Sequence, residues 1–136
     1  MFRLSQKADY GLMLLSSFVR QGKISKDKPS QYVSIASVAR EKQIPTKFLS
    51  QIALELKKAG ILTSREGVSG GYLLAKDPHK IRLLDVLKIL EGELVEGKCF
   101  EEGHECSCGA GEMWQEMKKQ MEATIGKKTV ADLVLR

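Results

Sequence analysis

The chain has 136 residues, 43% of them hydrophobic and 29% charged, which suits one globular core with an attached oligomerisation element and is too short for a multidomain enzyme. No apolar run approaches the roughly 18 residues a membrane span needs, and the opening MFRLSQKADYGL carries Arg3, Gln6, Lys7 and Asp9. Neither a membrane helix nor a signal peptide is expected, and the expected location is cytoplasmic.

The net charge of +5 is unevenly spread: residues 1–80 hold 14 Lys and Arg against 6 Asp and Glu, whereas residues 81–136 hold 8 against 11. A polyanion would therefore dock on the front portion. The three cysteines, Cys99, Cys106 and Cys108, lie within ten residues of one another. An odd cluster of this kind points to a metal or redox site rather than a disulfide framework.

In chain order, Ser5 to Arg20 reads as a helix, with Ser5 as N-cap and Ala8, Leu12, Leu15 and Val19 on one apolar face. Gln21 to Ser30 has no hydrophobic period and reads as a surface loop. Ser34 then caps a short helix whose Ile35, Val38 and Ala39 form a narrow stripe of small residues, over which another helix can pass closely. After Ile44-Pro45, with Thr46 as the candidate N-cap, Phe48, Leu49, Ile52, Ala53 and Leu56 recur at helical spacing until Gly60. Two short helices around a tight break form a helix-turn-helix candidate.

Ile61 to Arg65 and Gly71 to Ala75 read as two strands around Glu66 to Gly70, where Gly67, Gly70 and the adjoining Gly71 supply backbone freedom for a turn, a β-hairpin wing. Leu83, Leu84, Val86, Leu87 and Leu90 build a fourth helix ending at Gly92. Glu91 to Glu105 holds six acidic residues, one lysine and three glycines, and reads as an exposed loop. Glu112 to Ile125 is a long amphipathic helix with Met113, Trp114, Met117, Met121 and Ile125 on one side, followed by a short capped helix from Thr129 to Val134. The expected fold is mainly α with a small β-hairpin wing. It divides into a winged helix-turn-helix domain over 1–80 and a second part over 81–136, made of a cysteine loop (92–111), a dimerisation helix (112–125) and a C-terminal short helix.

A winged helix-turn-helix lays the N-terminal part of its second helix in the major groove of double-stranded DNA while the wing reaches the backbone or minor groove. Thr46, Lys47, Ser50 and Gln51 supply short donors and acceptors there: Gln pairs with adenine, Ser and Thr serve base or phosphate, and Lys contacts guanine or phosphate. Lys57 and Lys58 lie too far along the helix to read bases and suit phosphates. Each residue taken alone is equally well an ordinary solvated side chain; the stripe, the break, the wing and the basic half together require one architecture.

The opening Arg3-Leu4-Ser5-Gln6-Lys7-Ala8-Asp9-Tyr10-Gly11-Leu12, the wing Gly67-Val68-Ser69-Gly70-Gly71-Tyr72-Leu73-Leu74-Ala75, and the segments Ile81-Arg82-Leu83-Leu84-Asp85-Val86 and Leu90-Glu91-Gly92 resemble the bacterial winged-helix regulators often called the Rrf-two family. That family has iron-sulfur, nitric-oxide-sensing and cysteine-regulating branches, and the likeness extends over nearly the whole chain. It implies a homodimer on a pseudo-palindromic operator, with the long helix crossing its partner so that Met113, Trp114, Met117, Met121 and Ile125 become interface. These residues could instead cover the monomer's own core. The resemblance also implies base-reading roles for Lys47, Ser50 and Gln51. Where several family members carry an arginine just before the wing glycine, this chain has Glu66, with Arg65 one residue earlier, so a phosphate contact is the role expected of Arg65.

Thiolates bind soft metals, and three cysteines in an exposed glycine-rich loop suit an accessible sensor, with the surrounding negative charge favouring a bound cation. Members of the family with three cysteines hold an iron-sulfur cluster, here either [2Fe–2S] or [4Fe–4S]. The spacing C-x6-C-x-C departs from the family's more even gaps, although Cys108 keeps the family's distance to Trp114. The resemblance offers Asp9 of the partner subunit as fourth ligand, and His104 within the loop is the alternative. The expected function is a transcription regulator, a repressor, whose operator affinity follows cluster loading. A cluster-free regulator answering to thiol oxidation or a bound metabolic enzyme is a second reading, and a thiol oxidoreductase using Cys106 and Cys108 a third, disfavoured because no βαβ pattern supplies a helix N-terminus to activate a thiol. No catalytic motif and no small-molecule substrate site are apparent elsewhere.

Overall fold

The computed structural model of the chain describes residues 5–22, 32–67, 70–93, 95, 97–105 and 108–133. Of the expected surface loop Gln21 to Ser30, the first two residues belong to the first helix and 23–30 lie outside the described residues, as do the wing tip Val68-Ser69, Cys106 and Val134.

Helix α1 covers Gln6–Gly22. Ser5 caps it as expected: the Ala8 N–H donates to Ser5 Oγ at 3.1 Å, which satisfies a donor that the first helical turn leaves open. Its buried surface is wider than the four-residue stripe read from the sequence. Leu14 and Phe18 are buried beside Ala8, Leu15 and Val19, and Leu12 is half-buried, because α1 is the central helix with neighbours on several sides.

Helix α2 (Ile35–Lys42) is capped by Ser34, whose Oγ accepts from the Ser37 N–H at 3.4 Å, and its buried residues are Ile35, Val38 and Ala39, the stripe read from the sequence. It ends at Gln43, a non-glycine residue in the left-handed region with φ +56°, after which the Ile44 N–H donates to the Ala39 carbonyl at 2.9 Å. This turn swings the chain into helix α3 (Thr46–Lys58). Thr46 is the first helical residue rather than the cap. Pro45 occupies the cap position with φ −56°, and no side chain caps that end. Proline's fixed φ already suits the entry to a helix, so the Thr46 hydroxyl is not drawn into capping.

Strands β1 (Leu62–Arg65) and β2 (Gly71–Leu74) pair antiparallel, with Leu62 opposite Leu74 and Arg65 opposite Gly71. The wing also has a third short edge that the sequence reading did not foresee. Val33, just before α2, exchanges both backbone hydrogen bonds with Tyr72, at 2.7 and 2.9 Å. Glycine makes this possible: Gly71 sits at φ +144°, and a Cβ there would collide with the Val33 carbonyl.

Helix α4 (Leu83–Glu91) buries Leu84, Val86, Leu87 and Leu90 and stops at Gly92. The following loop is less uniformly exposed than its composition suggests, since Val95 is buried and Lys98–Phe100 form a 3₁₀ turn. Helix α5 (Ala110–Gly126) starts two residues before the expected helix, taking up the end of the cysteine loop. Beyond it, Val130–Leu133 is a 3₁₀ turn instead of an α-helix, held by the Thr129 N–H and hydroxyl donating to Asp132 Oδ2 at 2.8 and 3.4 Å. Val130 is fully buried and packs with α1 in the central core. Among the described residues, no helix is long and apolar enough to cross a membrane.

Gly71→Ala forces a side chain into both a strained φ and a backbone oxygen, so it should cost about 1–3 kcal/mol of unfolding free energy. Gly60, at φ +82° with open space around it, should accept asparagine at a cost below about 1 kcal/mol. Urea denaturation of the two variants checks the contrast.

Candidate DNA interface and cysteine loop

Helix α3 is anchored along one side. Leu49, Ile52, Ala53 and Leu56 are each no more than 1% exposed, and they pack into the core shared with α1, α2 and α4. At about 100° per residue, Thr46, Lys47, Ser50, Gln51, Lys57 and Lys58 all fall in the opposite arc of roughly 140°. Five of these six are exposed and Ser50 is half-buried. The structure therefore brings the candidate contact residues of α3 onto one outward surface. Arg65 is exposed at the end of β1, on the wing.

Two features of this surface escaped the sequence reading. Leu54 lies in the same outward arc and is 44% exposed. Lys7 of α1 reaches Glu55 of α3, Nζ to Oε2 at 2.7 Å, tying the first helix to the side of the third. Helical periodicity locates Leu54 but gives it no role, and the Lys7–Glu55 pairing depends on how α1 crosses α3, for which the sequence carries no local signal.

The cysteine loop lies against the start of α5. Cys99 is half-buried in the Lys98–Phe100 turn, and the Gln115 side-chain amide donates to its carbonyl at 3.4 Å. Cys99 and His104 line the same open cleft of about 570 Å³, whose α5 wall includes Glu112, Glu116 and Lys119. Cys108 is exposed two residues before α5. Among the described residues, no three His, Cys, Asp or Glu side chains converge as a metal-holding group. Cys106 is outside the described residues, so the triad itself is not visible as a unit. Asp9 is exposed on the first turns of α1, and the described lining of the Cys99–His104 cleft contains no α1 residue.

The apolar residues of α5 do not form the monomer's core. Met113 is 52% and Trp114 36% exposed, Met117, Met121 and Ile125 are half-buried, and Gly111 is the one residue of the helix that is buried. Lys88 of α4 reaches Glu122 at 3.8 Å, and Lys118 reaches Glu93 at 3.5 Å.

Residues 4–136 match the family model Rrf2, described as an iron-dependent transcriptional regulator. The chain belongs to the Rrf2 family. Among similar proteins, Protein rrf2 of Nitratidesulfovibrio vulgaris is 32% identical over 97% of this chain and 87% of its own length. The HTH-type transcriptional regulator CymR of Bacillus subtilis is 24% identical over 96% of this chain and 88% of its own length. Among solved structures, CymR, the global cysteine regulator of B. subtilis, superposes with a TM-score of 0.79 at 25% identity, covering 98% of this chain and 96% of its own. T. potens IscR does so at 0.77 and 25% identity, covering 97% and 85%. The mainly helical architecture with its two-stranded wing is thus that of the winged-helix Rrf2 regulators, and the protein is a DNA-binding transcriptional regulator.

For an Rrf2 regulator the seat of α3 matters more than the ion pair at its side. Leu49→Ala should cost about 2–5 kcal/mol, the range for emptying a fully buried leucine site. Glu55→Gln removes a pair whose side chains are 35% and 41% exposed and should cost less than about 1 kcal/mol. Thermal and urea unfolding of the two variants measure the difference.

Proposed function

We propose that the protein is a cytoplasmic, homodimeric repressor whose affinity for a pseudo-palindromic operator is set by an iron-sulfur cluster on its cysteine loop. The observation that supports this most directly is the separation of two surfaces. The outward arc of α3 carries Lys47, Ser50 and Gln51, and the thiol-bearing loop abuts α5 on another part of the chain.

In this reading α3 enters the major groove by its N-terminal half. Lys47, Ser50 and Gln51 read base edges and Thr46 serves base or phosphate, while Lys57, Lys58 and Arg65 contact phosphates. Met113, Trp114, Met117, Met121 and Ile125 cover the partner's α5, which removes an exposed apolar strip from water and sets the spacing of the two recognition helices. Cys99, Cys106 and Cys108 hold the cluster, with Asp9 of the partner subunit or His104 as fourth ligand; soft thiolates suit iron and sulfide, and the loop is open enough for a signal to reach it. The cluster, when bound, supplies a redox- and nitric-oxide-sensitive centre. The residues of this chain do the coupling: Cys99 and Gln115 join the loop to α5, and the segment after α5 joins it to the core.

A second reading is a regulator without a cluster, in which thiol oxidation or a bound metabolic enzyme is the signal. The likeness to CymR over nearly the whole chain favours it. Anaerobic purification separates the two: absorbance near roughly 400 nm with bound iron and sulfide supports the first, and a colourless protein with full operator regulation supports the second.

Lys47→Ala and Gln51→Ala should each weaken operator binding by about 1–3 kcal/mol, with Lys57→Ala instead reducing the slope of affinity against salt by about one. Equal operator affinity before and after cluster loading would remove the sensing arm and leave the DNA-binding arm intact. Met117→Asp should convert the dimer to monomer in sedimentation velocity and lower operator affinity at least tenfold, roughly the loss from breaking bivalent docking.

A further inference from the structure

Tyr32 precedes Val33, the residue that bridges to Tyr72 at the edge of the wing. Antiparallel pairing puts opposed residues on one face and alternates faces along each strand, so Tyr32 shares the outer face with Thr63, Arg65, Gly71 and Leu73. Thr63 and Arg65 are the exposed positions of β1 on that face. Arg65 stands opposite Gly71. With no side chain at Gly71, nothing on that residue blocks the Arg65 side chain from crossing β2, and its guanidinium carbon lies over the Tyr32 ring at 6.0 Å from the centroid. Tyr32 is half-buried, while Arg65 remains exposed.

We propose that Tyr32 is a positioning residue for DNA binding: its ring holds the Arg65 guanidinium in the orientation in which the wing meets a phosphate. A free arginine loses much rotamer freedom when it docks on a phosphate, and an aromatic face that already orients the planar guanidinium reduces that loss. A guanidinium held over a ring face keeps edge N–H donors available to phosphate oxygens. The aromatic residue comes from the segment that leads into α2, so the wing's cation is set relative to the helix-turn-helix through the same Val33–Tyr72 hydrogen bonds that hold the sheet together. This inference rests on the reading of Arg65 as a phosphate contact made above.

A mixed-sequence DNA duplex at low ionic strength is the probe, because a phosphate contact does not depend on base sequence. Tyr32→Phe keeps the ring face and should bind as the wild type does. Tyr32→Leu should bind roughly two- to fivefold more weakly, the range of an exposed cation–π contact, and should add nothing in an Arg65→Ala background. In the free wild-type protein, the Arg65 side-chain NMR resonances should be ring-current shifted, a shift kept in Tyr32→Phe and lost in Tyr32→Leu. If Arg65→Ala changes neither affinity nor salt slope, the reading of Arg65 fails and the proposal with it. If Arg65→Ala weakens binding but Tyr32→Leu matches wild type, or weakens binding equally with and without Arg65, only the role of Tyr32 is overturned. An unshifted Arg65 in the wild-type protein overturns it without any variant having to fold.

Discussion

Everything on the outward surface of α3 depends on the apolar seam beneath it. Leu49, Ile52, Ala53 and Leu56 are withdrawn from water almost completely. At about 25 cal/mol per Å² such burial stabilises each large side chain by roughly 1.5–3 kcal/mol, whereas the exposed Lys7–Glu55 pair beside them is worth less than about 1 kcal/mol. The seam therefore decides the rotation of the helix about its own axis. Once that rotation is fixed, the 3.6-residue period leaves no choice about which residues face outward, and Thr46, Lys47, Ser50, Gln51, Lys57 and Lys58 are delivered together. A contact surface of this kind is specified by its back side, and a polar substitution at Ile52 would disorganise it more thoroughly than the loss of any one outward donor.

The same reasoning explains which parts of the molecule could be read from the chain. Caps and periods are local, so Ser5, Ser34, the α2 stripe and the extent of α3 up to Gly60 follow from residues a few positions apart. At Pro45-Thr46 two local rules compete for one helix start, and the ring constraint of proline prevails over the capping preference of threonine. The features that the sequence did not reveal are long-range. Val33 pairs with Tyr72 across an entire helix-turn-helix, Val95 finds cover in an acidic stretch, and Val130 returns to the core after α5. A hint for the first was present: Tyr32-Val33 is an aromatic and β-branched pair directly before a capping serine, as an edge strand would supply. The cysteine site was legible as a composition but not as a geometry. Cys99 and His104 do share a cleft, but Cys106 lies outside the described residues, and the way the loop folds against α5 depends on contacts that no local pattern defines.

The wing and the helix-turn-helix are consequently one mechanical unit rather than two adjacent motifs. Gly71 admits the Val33 carbonyl, Val33 leads through Ser34 into α2, and α2 turns at Gln43 into α3. A displacement of the wing is passed along backbone hydrogen bonds of 2.7 and 2.9 Å to the start of α2 rather than through flexible side chains. Those bonds give the wing a defined place relative to the start of α2.

Helix α5 is joined to this unit differently. Along its length it touches α4 through a long ion pair, Lys88 to Glu122 at 3.8 Å, and it buries no large side chain in the monomer. Its C-terminal end, by contrast, is clamped: the Leu83 N–H donates to the Lys128 carbonyl at 3.1 Å, and the Val130 N–H donates to the Ile81 carbonyl at 2.9 Å. These bonds flank the start of α4, which packs directly on α1 and α3. Nearer its N-terminal end α5 is tied to the cysteine loop, where Gln115 donates to the Cys99 carbonyl at 3.4 Å and Lys118 reaches Glu93 at 3.5 Å and lies over the Phe100 ring. Because Val130 is fully buried in the same core as Leu49 and Ile52, the segment after α5 and the seat of α3 share one set of packed side chains. Packed cores respond to strain by shifting between discrete arrangements rather than by deforming smoothly, so the seat of α3 and the anchorage of the segment after α5 are not independent of one another.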